Sequence, residues 1–119
     1  MDKQSYGILG EMSAVQLLER KGYRILESNY KCPLGEIDAI ALDGETLVFV
    51  EVKHRSTLKY GYPAEAVTPH KQYKISQVAA AYIKRKGLYD RAARFDVIEV
   101  LDGKWINHIE NAFESRIRF

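Results

Sequence analysis

The chain has 119 residues, of which 46% are hydrophobic and 29% are charged, a balance typical of one globular domain rather than of a disordered segment. Its single cysteine, Cys32, excludes an intrachain disulfide, and no run of about 18 apolar residues predicts a transmembrane helix. The formal net charge is only +2. We therefore expect a single-domain protein of a reducing compartment, the cytoplasm, without membrane association.

The first predicted element is a helix over Ser5–Lys21. Its apolar residues recur at helical spacing and are Ile8, Met12, Val15 and Leu18. Glu11 falls inside this apolar stripe on the helical wheel, and Gly7 and Gly10 would let the helix approach a neighbouring backbone closely. A carboxylate on a buried stripe needs a partner, because burying a lone charge is costly.

Three strands are predicted next, over Tyr23–Tyr30, Glu36–Leu42 and Thr46–His54. The Cys32–Gly35 break and the Asp43-Gly44 pair are turn signals between them. Together these features predict a three-stranded antiparallel meander.

The second half of the chain predicts a loop over Arg55–Val67, a helix and two more strands. Thr68 is an expected N-cap, and the helix then occupies Pro69–Lys86. The strands are expected over Arg94–Leu101 and Lys104–Glu110. The helix should cross over, so that the fourth strand lies parallel to the third. The predicted fold class is thus mixed α/β, a five-stranded mixed sheet flanked by helices in one domain over residues 1–119.

Basic residues are concentrated in one segment. Residues 53–94 contain ten lysines and arginines but only two acids, whereas residues 1–52 contain five basic and nine acidic residues. This asymmetry favours a polyanionic partner. A helix with a solvated basic face is the alternative.

Strand alternation predicts a cluster of charged side chains on the second and third strands. Glu51 and Lys53 share one face of the third strand, and Asp38 lies on the same face of the second. If Leu42 lies opposite Leu47, the two carboxylates are directly opposite each other; a two-residue turn still leaves them on one face. Facing carboxylates repel each other unless a cation lies between them.

Either Lys53 or a divalent metal ion could be that cation. Two carboxylates with a carbonyl and waters suit Mg²⁺ or Mn²⁺, with Val52 as the carbonyl donor and Glu11 as a further ligand. Such a metal lowers the pKa of an attacking water, and a lysine stabilises charge in the transition state. This constellation therefore predicts phosphodiester hydrolysis. An edge-strand salt bridge is the alternative for the E-x-K pattern alone.

The stretch GEIDAIALDGETLVFVEVKHRS, preceded by GILGEMSAVQLLERKGYRILESNY, strongly resembles the YraN family of small bacterial proteins. The likeness continues through YGYPAEAVTPHK to RFDVIEV. The family is similar to the PD-(D/E)XK nuclease superfamily and to archaeal Holliday-junction resolvases, which implies a restriction-endonuclease-like αβββαβ core. The resemblance implies that Asp38, Glu51 and Lys53 fill the signature positions, with Glu11 as the acidic residue of the first helix. The proline of the superfamily motif is absent, since Ile37 precedes Asp38.

These observations predict a Mg²⁺- or Mn²⁺-dependent endonuclease that acts on DNA in preference to RNA, with branched or structured DNA among the candidate substrates. For nucleic-acid contacts we predict Arg55, Lys59, Lys71 and Lys74, with ordinary surface roles as the alternative for Arg55 and Lys71. A resolvase needs a two-fold dimer to cut two strands symmetrically, so a homodimer is a further prediction. Two alternatives stay open: a nucleic-acid-binding module with this fold but little or no catalysis, and an interaction protein whose charged cluster is a salt-bridge network.

Overall fold

A computed structural model of the chain describes residues 3–55, 67–102 and 104–117. The elements, in chain order, are α1 Lys3–Arg20, β1 Arg24–Cys32, β2 Gly35–Asp43, β3 Thr46–Arg55, α2 Pro69–Lys86, β4 Ala93–Leu101 and β5 Lys104–Phe113. Each predicted element is present, with ends that differ by at most three residues. Most of the predicted loop over Arg55–Val67 lies outside the described residues.

The five strands form one mixed sheet in the order β1-β2-β3-β4-β5. The β1–β2, β2–β3 and β4–β5 pairs are antiparallel, whereas β3 and β4 are parallel. Parallel neighbours require a crossover, and α2 lies between these two strands in the chain. The α/β prediction is therefore confirmed, including the order αβββαβ that the resemblance implied.

Alternate residues of β3 pack into two separate cores, one on each face of the sheet. Phe49 packs in a cluster with Ile75 and Tyr82 of α2. Val50 packs in the other cluster, with Leu18 of α1. Because each face is covered by one helix, β3 is apolar on both faces until the chain reaches Glu51.

The buried side of α1 differs from the prediction. Ala14, Leu17 and Leu18 are buried, whereas Met12 is 54% exposed and Val15 is only partly buried. The predicted stripe through Met12 and Val15 was therefore wrong. The helix turns Gly10, Ala14, Leu17 and Leu18 toward the sheet, and Gly10 and Ala14 allow the helix to approach the sheet closely.

Gly10 shows how close this approach is. A Cβ atom at this position would lie 2.6 Å from Cε1 of His54 and 3.0 Å from Cγ2 of Val100. The absence of a side chain at Gly10 thus seats the carboxyl ends of β3 and β4 against α1, as the sequence predicted for this glycine.

The caps of α2 position the residues of its first turn. Thr68 has extended backbone angles (φ −61°, ψ 156°), and its side-chain oxygen accepts a hydrogen bond of 3.2 Å from the backbone N–H of Lys71. Gly87 closes the helix in the left-handed conformation at φ 68°. Both cap predictions are confirmed, and Lys71 is consequently held at the third helical position. None of the helices in the described ranges is long and apolar enough to cross a membrane.

Candidate active site

The register of β2 and β3 sets the positions of the two predicted carboxylates. Leu42 pairs with Leu47, which is the register that the sequence predicted would place Asp38 and Glu51 opposite each other. Gly44 and Glu45 form the turn between the paired residues Asp43 and Thr46, and this turn selects one of the two registers that the sequence left open.

The Asp38 side chain accepts a backbone hydrogen bond just beyond the end of the β2–β3 ladder. The described pairing of β2 with β3 ends at Ala39 and Val50. Beyond it, the backbone N–H of Val52 donates a hydrogen bond of 2.7 Å to Oδ2 of Asp38. The carboxylate is thereby fixed in orientation by its neighbouring strand, as a metal or water ligand must be.

Glu51 is buried, at 7% exposure, and forms an ion pair with α2. The Nζ atom of Lys71 lies 2.6 Å from Oε1 of Glu51, and the Lys71 side chain remains 47% exposed. We call Asp38 and Glu51 the acidic pair. Lys71 is its contacting cation in the described part of the chain.

Lys53, the cation that the sequence favoured, is placed differently. It lies beyond Glu51 on β3 and is opposite Glu99 in the parallel ladder with β4. It is partly buried, and within the described ranges it forms no salt bridge. The lysine that contacts the acidic pair is thus supplied by the helix and not by the strand.

The surroundings of Asp38 strongly disfavour its charged form. Burial, and next the charge of Glu51, raise the pKa of Asp38 from 3.8 to about 7, against the opposing effects of the Val52 N–H and Lys71. Burial opposes the charge of Lys71, but its hydrogen bond to Glu51 and the nearby carboxylates outweigh this effect and raise its pKa. The site therefore favours bound positive charge.

Two further acids contribute to the negative potential. Glu11 is partly buried, and its pKa is raised by burial first and then by the charges of Asp38 and Glu36. Glu36 is exposed and also acts on Asp38 and Lys71. The sequence analysis missed Glu36, although its position two residues before Asp38 on β2 was the available signal.

The donor set suits a hard divalent cation, with fewer protein ligands than predicted. Among the residues that the structure describes, no three His, Cys, Asp or Glu side chains form a group that could hold a metal ion. The structure thus brings Asp38 and Glu51 together, but it does not bring Glu11 into a shared ligand set with them. Mg²⁺ commonly binds through one or two carboxylates and waters, so the acidic pair still fits it, and Lys71 shows that a cation is accommodated beside Glu51.

The four residues predicted to contact nucleic acid lie in different surroundings. Arg55 forms an ion pair with Glu99 on β4, and Lys71 contacts the acidic pair. Lys74 is exposed on α2, a helix whose charged residues are all basic. Lys59 lies outside the described residues.

A second charged cluster lies on the α1 face of the sheet, around Asp96. This fully buried carboxylate lies 3.0 Å from Nε of Arg94 and 2.8 Å from Nε2 of His108, and it accepts a 3.0 Å hydrogen bond from the Asn111 backbone. Burial alone would raise the pKa of Asp96, but the bonds from His108, Arg94 and Asn111 hold it below its usual value. The Arg94 guanidinium also donates to the Tyr23 hydroxyl at 2.7 Å. These contacts join β4, β5 and Tyr23, the residue before β1, so the cluster is structural.

A family model described as "Uncharacterised protein family UPF0102" matches residues 10–100. The chain belongs to the UPF0102 family. This match confirms the resemblance to the YraN family, and it covers α1 from Gly10 through nearly all of β4, including the acidic pair.

Members of the UPF0102 family from several bacteria are similar to this chain over nearly their whole length. The UPF0102 protein of Geobacter sulfurreducens is 53% identical over 112 residues, which cover 91% of this chain and 88% of that protein. The UPF0102 protein of Alkaliphilus metalliredigens is 52% identical over 112 residues, covering 92% of this chain and 98% of that protein. The Clostridioides difficile protein is 50% identical over 114 residues, covering 95% of this chain and all of that protein. Neither the family description nor these names state an activity.

Proposed function

We propose that this protein is a metal-dependent endonuclease that hydrolyses phosphodiester bonds in DNA, with branched or structured DNA among its substrates. The observation that carries the proposal is the acidic pair, with Lys71 Nζ 2.6 Å from Glu51 and the pKa of Asp38 raised to about 7. A carboxylate whose pKa is strongly raised by burial and by a neighbouring carboxylate marks a candidate functional site.

In this proposal, Asp38 and Glu51 hold Mg²⁺ or Mn²⁺, which when bound would activate a water and neutralise the scissile phosphate. The Val52 N–H donates to Asp38 Oδ2 and so fixes the orientation of a carboxylate that would hold the ion. Lys53 and Lys71 provide positive charge toward the negative charge that develops on the phosphate. Glu11 adds to the negative potential and stays a predicted further ligand.

The basic character of α2 supports a nucleic-acid substrate. Its charged residues are all basic, and those of its first turns are Lys71 and Lys74. Positive charge beside a catalytic centre can hold a phosphate backbone without reading its sequence. Contacts by Lys74, Arg55 and Lys59 to DNA, and a homodimer, are parts of the proposal that binding and sedimentation measurements would test.

The test is cleavage of linear duplex, single-stranded and four-way DNA, with an RNA duplex beside them, in Mg²⁺ and in Mn²⁺. The wild type should cut at least one DNA, whereas Asp38→Asn and Glu51→Gln should lose cleavage and retain their fold and DNA affinity. Glu45→Gln, an equivalent change in the exposed β2–β3 turn, is the matched control and should cut normally. Equal cleavage by the wild type and both site variants would reject the assignment of the site.

A second candidate function is a nucleic-acid-binding module with little or no catalysis. It is favoured by one observation, that the described residues hold no group of three potential metal ligands. Gel-shift binding of DNA without cleavage in either metal would support this function. Absence of both DNA binding and Mn²⁺ binding would instead support an interaction protein with a salt-bridge network.

A further inference from the structure

Lys71 is attached to a fixed backbone, but its side chain can move. The Thr68 cap holds the backbone of Lys71 in the first turn of α2. The ammonium group lies at the end of a flexible four-carbon stem, and 47% of the side chain is exposed. A change of rotamer could therefore move the charge several ångströms without a change in the fold.

The partner of Lys71 is far less mobile and far less exposed. The Glu51 side chain is only 8% exposed, and it projects from a central strand of the sheet. A divalent cation bound by the acidic pair would use the same Glu51 carboxylate that Lys71 now contacts. The cation and the ammonium would repel each other at that distance, so the two cannot share the carboxylate at full strength.

We propose that Lys71 is an exchangeable counter-ion, which leaves Glu51 when a divalent cation binds the acidic pair and then contacts the DNA phosphate. This inference rests on the proposed function, because it assigns a regulatory role to a residue of the same site. Before metal arrives, Lys71 neutralises the acidic pair. After metal arrives, the released ammonium adds to the basic surface of α2 that Lys74 also carries.

The exchange couples the two ligands. Metal binding releases Lys71 for DNA, and DNA that holds Lys71 in turn leaves the acidic pair open to the metal. By thermodynamic linkage the two effects must be equal in size. Metal should therefore raise DNA affinity even when no bond is cut.

Lys71→Met, which keeps the side-chain length and removes the charge, tests the exchange. Mn²⁺ affinity is measured by calorimetry on the protein without DNA. We expect Lys71→Met to bind Mn²⁺ about threefold to fivefold more tightly than the wild type, as the loss of a partly exposed competing ion pair implies. Lys104→Met removes an exposed positive charge from β5 and should bind Mn²⁺ as the wild type does. Circular dichroism verifies the fold, and Lys71→Gln replaces Lys71→Met if the latter does not fold.

The second measurement is DNA affinity with and without Ca²⁺, which stands in for the metal without supporting cleavage. Ca²⁺ should strengthen DNA binding by the wild type and by Lys104→Met about threefold to fivefold, and the gain should fall below about twofold in Lys71→Met. An equal gain in all three proteins, or no gain in the wild type, overturns the inference.

The outcomes separate this inference from the proposed function. Cleavage by the wild type, together with unchanged or weaker Mn²⁺ binding by Lys71→Met, overturns the inference alone. Tighter Mn²⁺ binding by Lys71→Met with a lost Ca²⁺ gain, but without cleavage of any DNA, supports the inference and refutes the nuclease. If neither the wild type nor Lys71→Met binds Mn²⁺, the inference and the proposed function are both refuted.

Discussion

Asp38→Asn should stabilise the metal-free protein at neutral and alkaline pH. In the folded state Asp38 is pushed toward its protonated form by burial and by Glu51, and its pKa is about 7 instead of 3.8. Between these two values the folded state binds more protons than the unfolded state, so stability falls as the pH rises through this window. An asparagine carries no charge and can still accept the hydrogen bond from the Val52 N–H.

The size of the effect follows from the shift. One pKa unit corresponds to about 1.4 kcal/mol, so the shift from 3.8 to about 7 costs the wild type about 4 kcal/mol above pH 7. The shift already includes the attraction between Asp38 and Lys71, so we expect a net gain of about 3–4 kcal/mol at pH 8, or roughly 10 °C in melting temperature for a chain of this size.

The assay is urea unfolding of the wild type and Asp38→Asn in EDTA at several pH values from 4 to 8. The difference should be largest at pH 8 and should vanish near pH 4, where the wild-type carboxyl is protonated. Asp90→Asn, a change in an exposed turn, should alter stability little at any pH. A variant less stable than the wild type at pH 8, or a difference independent of pH, would refute the reasoning.

Three further changes test other contacts. Lys71→Met should lower the stability of the metal-free protein at pH 8 by about 0.5–1 kcal/mol, opposite in sign to Asp38→Asn, because it removes the ion pair with Glu51; no loss in urea unfolding would contradict this. Asp96→Asn should lower the free energy of unfolding by about 3–5 kcal/mol, because it leaves buried donors without their anion. The control Asp43→Asn, whose side chain is 43% exposed, should lower it by less than about 1 kcal/mol. Folding lowers the pKa of Asp96 below 3.8, so its ionised side chain contributes fully to the free energy of unfolding above pH 3.8. This contribution should be lost as the pH falls through the pKa of the folded state, which acid titration of ellipticity would detect. Gly10→Ala should lower the free energy of unfolding by about 1–2 kcal/mol, because the added methyl group displaces the His54 ring. If the same substitution destabilises a His54→Ala variant equally, the clash is not with His54.

The elements that the sequence predicted best are those with local signals. Thr68 and Pro69 begin α2, and Gly87 ends it, because capping depends only on residues within one turn. The Asp43-Gly44 signal predicted the hairpin of β2 and β3, and both registers that it left open placed Asp38 and Glu51 on one face. The structure selects the register in which they lie opposite each other. Half of the candidate site thus followed from strand alternation and one turn.

The features that the sequence predicted poorly depend on how separate elements pack. On the helical wheel Met12 and Val15 of α1 fit an apolar stripe, but the close contact of Gly10 with the sheet turns the side with Ala14 and Leu18 into the core. Lys53 and Lys71 are both lysines near the acidic residues in the chain, but the docking of α2 brings Lys71 to Glu51. The sequence did not indicate that Asp96 is part of a charged cluster, because its partner His108 lies on the neighbouring strand and not close to it in the chain.

By itself, the sequence determined the α/β order, the parallel crossover and the presence of two carboxylates, Asp38 and Glu51, on one face of β2 and β3. These depend on period, turns and caps, whose energies are set by neighbours along the chain. Only the tertiary structure decided which helix face is buried, which register pairs β2 with β3, which lysine contacts Glu51, and that Glu36 raises the pKa of Asp38. Those outcomes depend on burial and on charge separations between segments distant in the chain, which no local pattern specifies.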